Sequence, residues 1–191
     1  MPRRLVPAIL AAAALSACGR SDRSVQSAAQ APSRPEAVAV IPTPSKQTDA
    51  ADFANRAAAG NAFELAAAQI AQSRASSNDV KAFAAMMLRD HTNSAQDFKA
   101  AIAASGQALS PSEALSPDQQ QAMMDLKAAQ PGDFDKTYMR TQVEAHQKAL
   151  ALFQDYAQNG TVTSLKSFAA QGAPVIQNHL EAAQQIMAAL K

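Results

Sequence analysis

The chain is 191 residues long, 48% hydrophobic but only 5% aromatic, with six Gly, no Trp and a formal net charge of +1. Once an export segment and a linker are set aside, one domain remains, and an alanine-rich, aromatic-poor composition favours helix over sheet. No basic block survives beyond the first residues, which argues against nucleic acid as a partner, and the single cysteine, Cys18, excludes internal disulfides and Cys-ligated zinc.

Residues 1–17 read as a signal peptide. MPRR is a short positive n-region, and LVPAILAAAA is an apolar core too short to span a bilayer. Loss of Arg3 and Arg4 with that segment takes the mature chain from +1 to −1. Leu15-Ser16-Ala17-Cys18 resembles a bacterial lipobox, after which the cysteine carries a diacylglyceryl group and becomes the mature N-terminus. The competing reading is an ordinary signal whose small-residue cleavage site happens to precede a cysteine. Lipidation makes the membrane a partner through the N-terminus. Gly19, where an Asp often retains lipoproteins at the inner membrane, points to the outer membrane, facing the periplasm. Residues 18–49 are rich in Ser, Ala, Gln and Pro, lack bulky apolar periodicity, and read as a disordered tether.

From residue 50 to 191 apolar residues recur with the helical period. A first long helix is expected over 50–75, with Phe53, Ala57, Gly60, Glu64, Ala67 and Ala71 on one stripe. SSND breaks it, and Ser76 or Ser77 can cap a second helix over 78–105, which Gly106 stops. The stripe of that second helix is Val80, Ala84, Met87, His91, Ser94, Phe98 and Ile102. In the connector that follows, Ser116-Pro117-Asp118-Gln119 has capping-box spacing with Pro at the first helical position, so a short helix is expected over 117–129. The third long helix is expected over 133–158, closed by Asn159-Gly160, with Met139, Gln142, His146, Ala149, Phe153 and Tyr156 facing in. The fourth is expected over 162–190, kinked at Pro174, with Leu165, Phe168, Gly172, Val175, His179, Ala183, Ile186 and Leu190 inside. Two hairpins joined by a long connector describe an all-α four-helix bundle with a crossover between its second and third long helices.

The three histidines of the chain, His91, His146 and His179, each fall on the inner stripe of a different long helix, and Glu64 falls on that of the remaining one. At a rise of about 1.5 Å per residue all four lie within roughly one turn of a common level. The neighbouring acids are expected to stay apart: Asp90 is one position off its stripe, while Glu144 and Glu181 each lie two residues from a histidine.

Four segments, FANRAAAGNAFEL, VKAFAAMMLRDHT, FDKTYMRTQVEAHQKAL and PVIQNHL, resemble in order the signatures of a ferritin-like, exported bacterial family of unknown function. Its members are commonly labelled predicted outer-membrane proteins. The resemblance covers residues 50–190 and implies a ferritin-like four-helix bundle in the cell envelope, with no established reaction. Ferritin-like di-iron sites take one Glu from each of two helices and Glu-x-x-His from each of the other two. Here Leu88 stands three before His91 and Ile176 three before His179, and the third long helix offers His146 rather than Glu. Too few bridging carboxylates remain for iron storage or di-iron oxygen chemistry.

Two functional readings stand. One is a non-catalytic envelope lipoprotein whose bundle is a structural or partner-binding module, for a protein partner or a second copy, in stress tolerance; its central layer is then a hydrogen-bonded polar layer that fixes register. The other is a mononuclear metal-binding or metal-dependent redox bundle, in which Glu64, His91, His146 and His179 hold one Zn, Cu or Fe ion with an affinity that falls through the ordinary histidine pH range. Met87, one turn before His91, invites a copper reading, but paired methionines in an alanine-rich bundle serve more often as adaptable core. No phosphate loop, G-x-S-x-G elbow or H-E-x-x-H motif supplies a catalytic alternative.

Overall fold

A computed structural model describes residues 49–190. The signal peptide, Cys18 and all of the tether but Asp49 lie outside the described residues. Five helices follow in order: α1 Ala50–Arg74, α2 Asn78–Ala103, α3 Pro117–Ala128, α4 Phe134–Asn159 and α5 Thr163–Ala189. There is no strand among the described residues. No helix there is long and apolar enough to cross a membrane. The all-α bundle with its long crossover is as the sequence pattern predicts.

The helix starts follow from their capping chemistry. Asp49 accepts from the backbone N–H of Ala51 and Asp52, both at 2.9 Å, so the last residue of the expected tether is the cap of α1. Ser77, rather than Ser76, caps α2 by accepting from Asp79 N–H at 3.2 Å. Ser116 and Gln119 form the reciprocal capping box expected of their spacing, at 3.3 and 2.9 Å. α2 ends at Ala103, and the chain turns at Gly106, whose φ of +67° lies in the left-handed region that glycine occupies without strain. α5 continues through Pro174 as one helix of 27 residues.

α1 pairs with α2 and α4 with α5 as hairpins, α2 lies against α5 and α1 against α4. α3 packs on both α1 and α4, and so covers the seam between them. The C-terminal half of α1 and the N-terminal half of α4 share one end of the bundle. The crossover therefore runs the length of the bundle before α4 begins, and α2 and α4 point the same way. Arg74 fastens this crossover: its guanidinium donates to the carbonyls of Leu126 at 2.6 Å, Lys127 at 2.9 Å and Ala129, and lies 4.7 Å over the Phe134 ring. It thereby satisfies the last carbonyls of α3, which no helical N–H reaches. Asp135 does the corresponding work at the α1–α2 turn, accepting from Ser76 and Ser77 N–H at 3.0 and 2.8 Å.

The core is divided in two. One apolar cluster, around Phe63, Phe83, Met87, Leu126, Phe134 and Tyr138, fills the end nearest α3. The other, around Phe53, Phe153, Tyr156, Leu165 and Ile176, fills the opposite end, where Phe53 stacks on Tyr156 with ring centroids 4.0 Å apart. Between them lie the buried polar side chains Glu64, Gln142, His146 and His179. Burying such groups costs free energy unless each finds a partner, so this layer has to be accounted for atom by atom.

Candidate metal centre

Each histidine of the layer is held by one ring nitrogen to an oxygen. His91 Nδ1 meets Asn61 Oδ1 at 3.0 Å, across from α2 to α1. His146 Nδ1 meets the carbonyl of Gln142, one turn earlier in α4, at 2.9 Å. His179 Nε2 meets Asp90 Oδ2 at 3.0 Å, across from α5 to α2. A backbone carbonyl and a carboxylate accept only, and Asn61 presents its oxygen, so the ring proton of each histidine sits on the bonded nitrogen. The opposite nitrogen of each ring then carries a lone pair. Among the described residues, His91 Nε2 and His179 Nδ1 are buried without any hydrogen-bond partner.

These rings converge. Their centroids stand 5.5 to 6.2 Å apart, and one ring nitrogen from each lies within 4.8 Å of the others. His146 is 2% and His179 4% exposed. A tetrahedral ion with nitrogens at 2.0–2.1 Å needs them about 3.4 Å apart, so loading requires the rings to close by up to about an ångström each.

Burial keeps all three rings neutral. It pushes the His91 imidazolium down to about 3, aided by repulsion from His146 and His179. It takes His146 to about 4 against the bond to Gln142, and it lowers His179 more than Asp90 raises it. Protons thus compete for these nitrogens below the ordinary histidine range, which shifts the expected acid sensitivity of a metal site downward. Asp90 shows a balance of opposite causes: burial raises its carboxyl, but bonds from Arg89 and His179 outweigh that and hold it low.

Glu64 takes a different place from the one its position on the stripe suggests. Its Oε2 accepts from Gln142 Nε2 at 2.7 Å, and its Oε1 lies 3.8 Å from His146 Nδ1, the ring nitrogen already committed to Gln142. Desolvation raises its carboxyl to about 8 despite the Gln142 bond. Glu64 is outside the convergent group, which consists of His91, His146 and His179. A neutral acid at the edge of the layer is a poor ligand and a good hydrogen-bond partner. Sequence position alone also leaves Asp90 out, and this is corrected: from just off the α2 stripe it reaches across to α5. Asn61, one turn before Glu64, and Gln142, one turn before His146, complete the orienting shell. Their i, i+3 and i, i+4 spacing to the layer is the signal that could have found them.

The chain is thus an all-α bundle of four long helices whose midpoint carries three convergent imidazoles, each oriented by an oxygen acceptor. The chain belongs to the family described as Domain of unknown function (DUF4142), which residues 35–186 match. No curated protein matches it. Among solved structures it is similar to the crystal structure of a DUF305 fragment from Deinococcus radiodurans, at 15% identity and a TM-score of 0.64, covering 78% of this chain and 100% of that one. That likeness concerns the fold.

Proposed function

We propose that this protein binds a single borderline divalent metal ion through His91, His146 and His179, as an envelope lipoprotein anchored at Cys18. The observation that supports the metal is the pair of buried, partnerless lone pairs on His91 Nε2 and His179 Nδ1. A closed polar layer would have satisfied them, because an unmade buried hydrogen bond costs about 1–3 kcal/mol. Three imidazoles suit Zn²⁺, Cu²⁺ and Fe²⁺, and three protein ligands leave a fourth position open, as catalytic rather than structural zinc sites do. The bonds that the ring N–H groups donate to Asp90, Asn61 and the Gln142 carbonyl resemble the outer shell that fixes the tautomer and orientation of metal-bound histidines.

Exposed apolar area on the outer helix faces would support the partner-binding reading. The large exposed apolar side chains among the described residues are Met124 on α3 and Val175 and Met187 on α5, the last two separated by more than three turns. Val175 and Met187 therefore share no single turn of α5.

Titrating purified full-length protein in mild detergent with Co²⁺ is expected to give an intense visible band of tetrahedral type, saturating at one ion per chain. A spectrum matching aqueous Co²⁺ throughout would overturn the metal reading. The anchor is tested separately. Cys18→Ser is expected to leave the protein soluble or as uncleaved precursor, whereas a processed variant that still partitions with membranes would refute lipid attachment.

A further inference from the structure

The histidine layer is the roof of a chamber. Counting seven residues along each long helix toward the Phe153 end leads from Glu64 to Ala57, from His91 to Phe98, from His146 to Phe153 and from His179 to Gly172. Seven residues are two turns, so this second layer lies about 10 Å from the histidines. It forms an aromatic floor: Phe168 packs against both Phe98 and Phe153, with centroids 5.3 and 5.6 Å apart. Gly172 makes that floor fit, because a Cβ there would sit 2.8 Å from the Phe153 ring.

One turn below the histidines, at the level between roof and floor, the positions are Gly60, Ser94 and Ala149, with the 45% exposed Val175 on the open side. All four line a broad, partly open groove that takes in the three histidines, Phe98, Phe153 and Phe168 and runs on along the crossover to Asp118 and Asp125, about 1220 Å³ in all. Three small side chains in one layer are the reason that space exists. Gly60 sits in the interior of α1, where glycine costs about 1 kcal/mol relative to alanine, and a Cβ placed on it meets nothing within 4 Å. No packing contact among the described residues explains a glycine there. Close approach of a ligand to the helix backbone does.

The head of such a ligand follows from charge. An ion held by three neutral imidazoles keeps its +2 charge in a buried site. Asp90 is engaged with His179 and Arg89, and Glu64 with Gln142. Burial of uncompensated charge is costly, so the open position favours an anionic donor. We propose that the fourth position takes a small aryl-bearing oxyanion, with its oxygen on the metal and its ring in the chamber between the histidines and Phe98, Phe153 and Phe168. This rests on the metal reading above.

The test compares two probes with the same head and different bodies. Full-length protein loaded with Co²⁺ is titrated with benzohydroxamate and with acetohydroxamate, following the visible band, with free Co²⁺ as the reference for the intrinsic affinity of each head. Benzohydroxamate is expected to bind at least tenfold more tightly than acetohydroxamate after that correction. Gly60→Leu, which fills the chamber with a better helix former, is expected to keep the ligand-free Co²⁺ spectrum and the helical circular dichroism while abolishing the preference. Ser94→Leu serves the same purpose should Gly60→Leu fail to fold. A corrected preference below tenfold in the wild type, or one that survives a folded filling variant, overturns the chamber. Absence of the ligand-free cobalt band overturns the metal reading and the chamber together, so the two failures are distinguishable.

Discussion

Zinc at a free concentration about a thousandfold above its dissociation constant should raise the melting temperature of the wild-type protein by roughly 10 °C and leave that of His146→Ala unmoved. An ion bound only by the folded state adds RT ln(1 + [L]/Kd), about 4 kcal/mol at that ratio. In a domain of this size each kcal/mol moves the midpoint by roughly 3 °C. His146 is the right residue to remove. It is 2% exposed, and its Nδ1 bond is to a carbonyl inside its own helix, so its loss strips one ligand without orphaning a side chain on another helix. The metal-free variant should be less stable than the metal-free wild type by roughly 1–3 kcal/mol, from the lost bond and the space left behind. Two companions sort the layer by role. Asp90→Ala should weaken zinc binding by about 10–100-fold, as removing an outer-shell partner does elsewhere. Glu64→Gln should leave it within about threefold, because the carboxyl is bonded to Gln142 and stands outside the convergent nitrogens. A melting curve indifferent to Zn²⁺, Cu²⁺, Mn²⁺ and anaerobic Fe²⁺ would defeat the metal assignment, and a large loss in Glu64→Gln would return Glu64 to the ligand set.

The common height of the three histidines is legible in the sequence because a helix converts residue number into distance at a fixed rate, and the loops fix where counting starts. The caps are legible for a similar reason: Ser116, Pro117 and Gln119 act within four residues of one another, where backbone geometry leaves little choice. What is not legible is which ring nitrogen faces which neighbour. Asp90 sits about 100° around α2 from His91, and only the proximity of α5 turns that displacement into a bond with His179. Arg74 is a further case, since a long side chain at a helix end can reach any of several carbonyls, and the packing of α3 decides which. Glu64 shows the converse error. A residue on the right stripe at the right level is directed by its nearest partner, Gln142, away from the convergence. The chamber was written in the sequence as a step of seven from each histidine to an aromatic or a glycine. It gains meaning only once the helix directions are known, because the count runs forward on α2 and α4 and backward on α1 and α5.

The metal-free protein should be most stable near pH 6.5, with stability falling on both sides for opposite reasons seated in the same layer. On the acid side, His91 and His146 carry native values of about 3 and 4, and His179 is lowered too, all against an ordinary value of 6.5. Between those values the unfolded chain binds protons that the folded chain refuses, so stability is lost as pH falls from 6.5 through the native values. On the alkaline side, Glu64 is raised from 4.5 to about 8, so between these values the folded chain holds a proton that the unfolded chain has released. Stability then declines as pH rises, at roughly 1.4 kcal/mol per pH unit for one proton, until ionisation near pH 8 ends the decline. From 4.5 to 6.5 the two effects oppose, and three histidines outweigh one glutamate, which puts the maximum at the upper end of that window. The groups facing the layer from its other elements are Asp90 on α2 and Tyr138 on α4. The former stays ionised throughout because Arg89 and His179 hold it low, and the latter stays neutral because burial and Glu64 push its phenol up. Urea unfolding of chelator-treated protein at half-unit steps from pH 4.5 to 8.5 measures the profile. Glu64→Gln should flatten the limb above pH 6.5 and steepen the acid limb between 4.5 and 6.5, where Glu64 otherwise opposes the histidines. An alkaline limb unchanged in Glu64→Gln would show that the buried carboxyl is not its source.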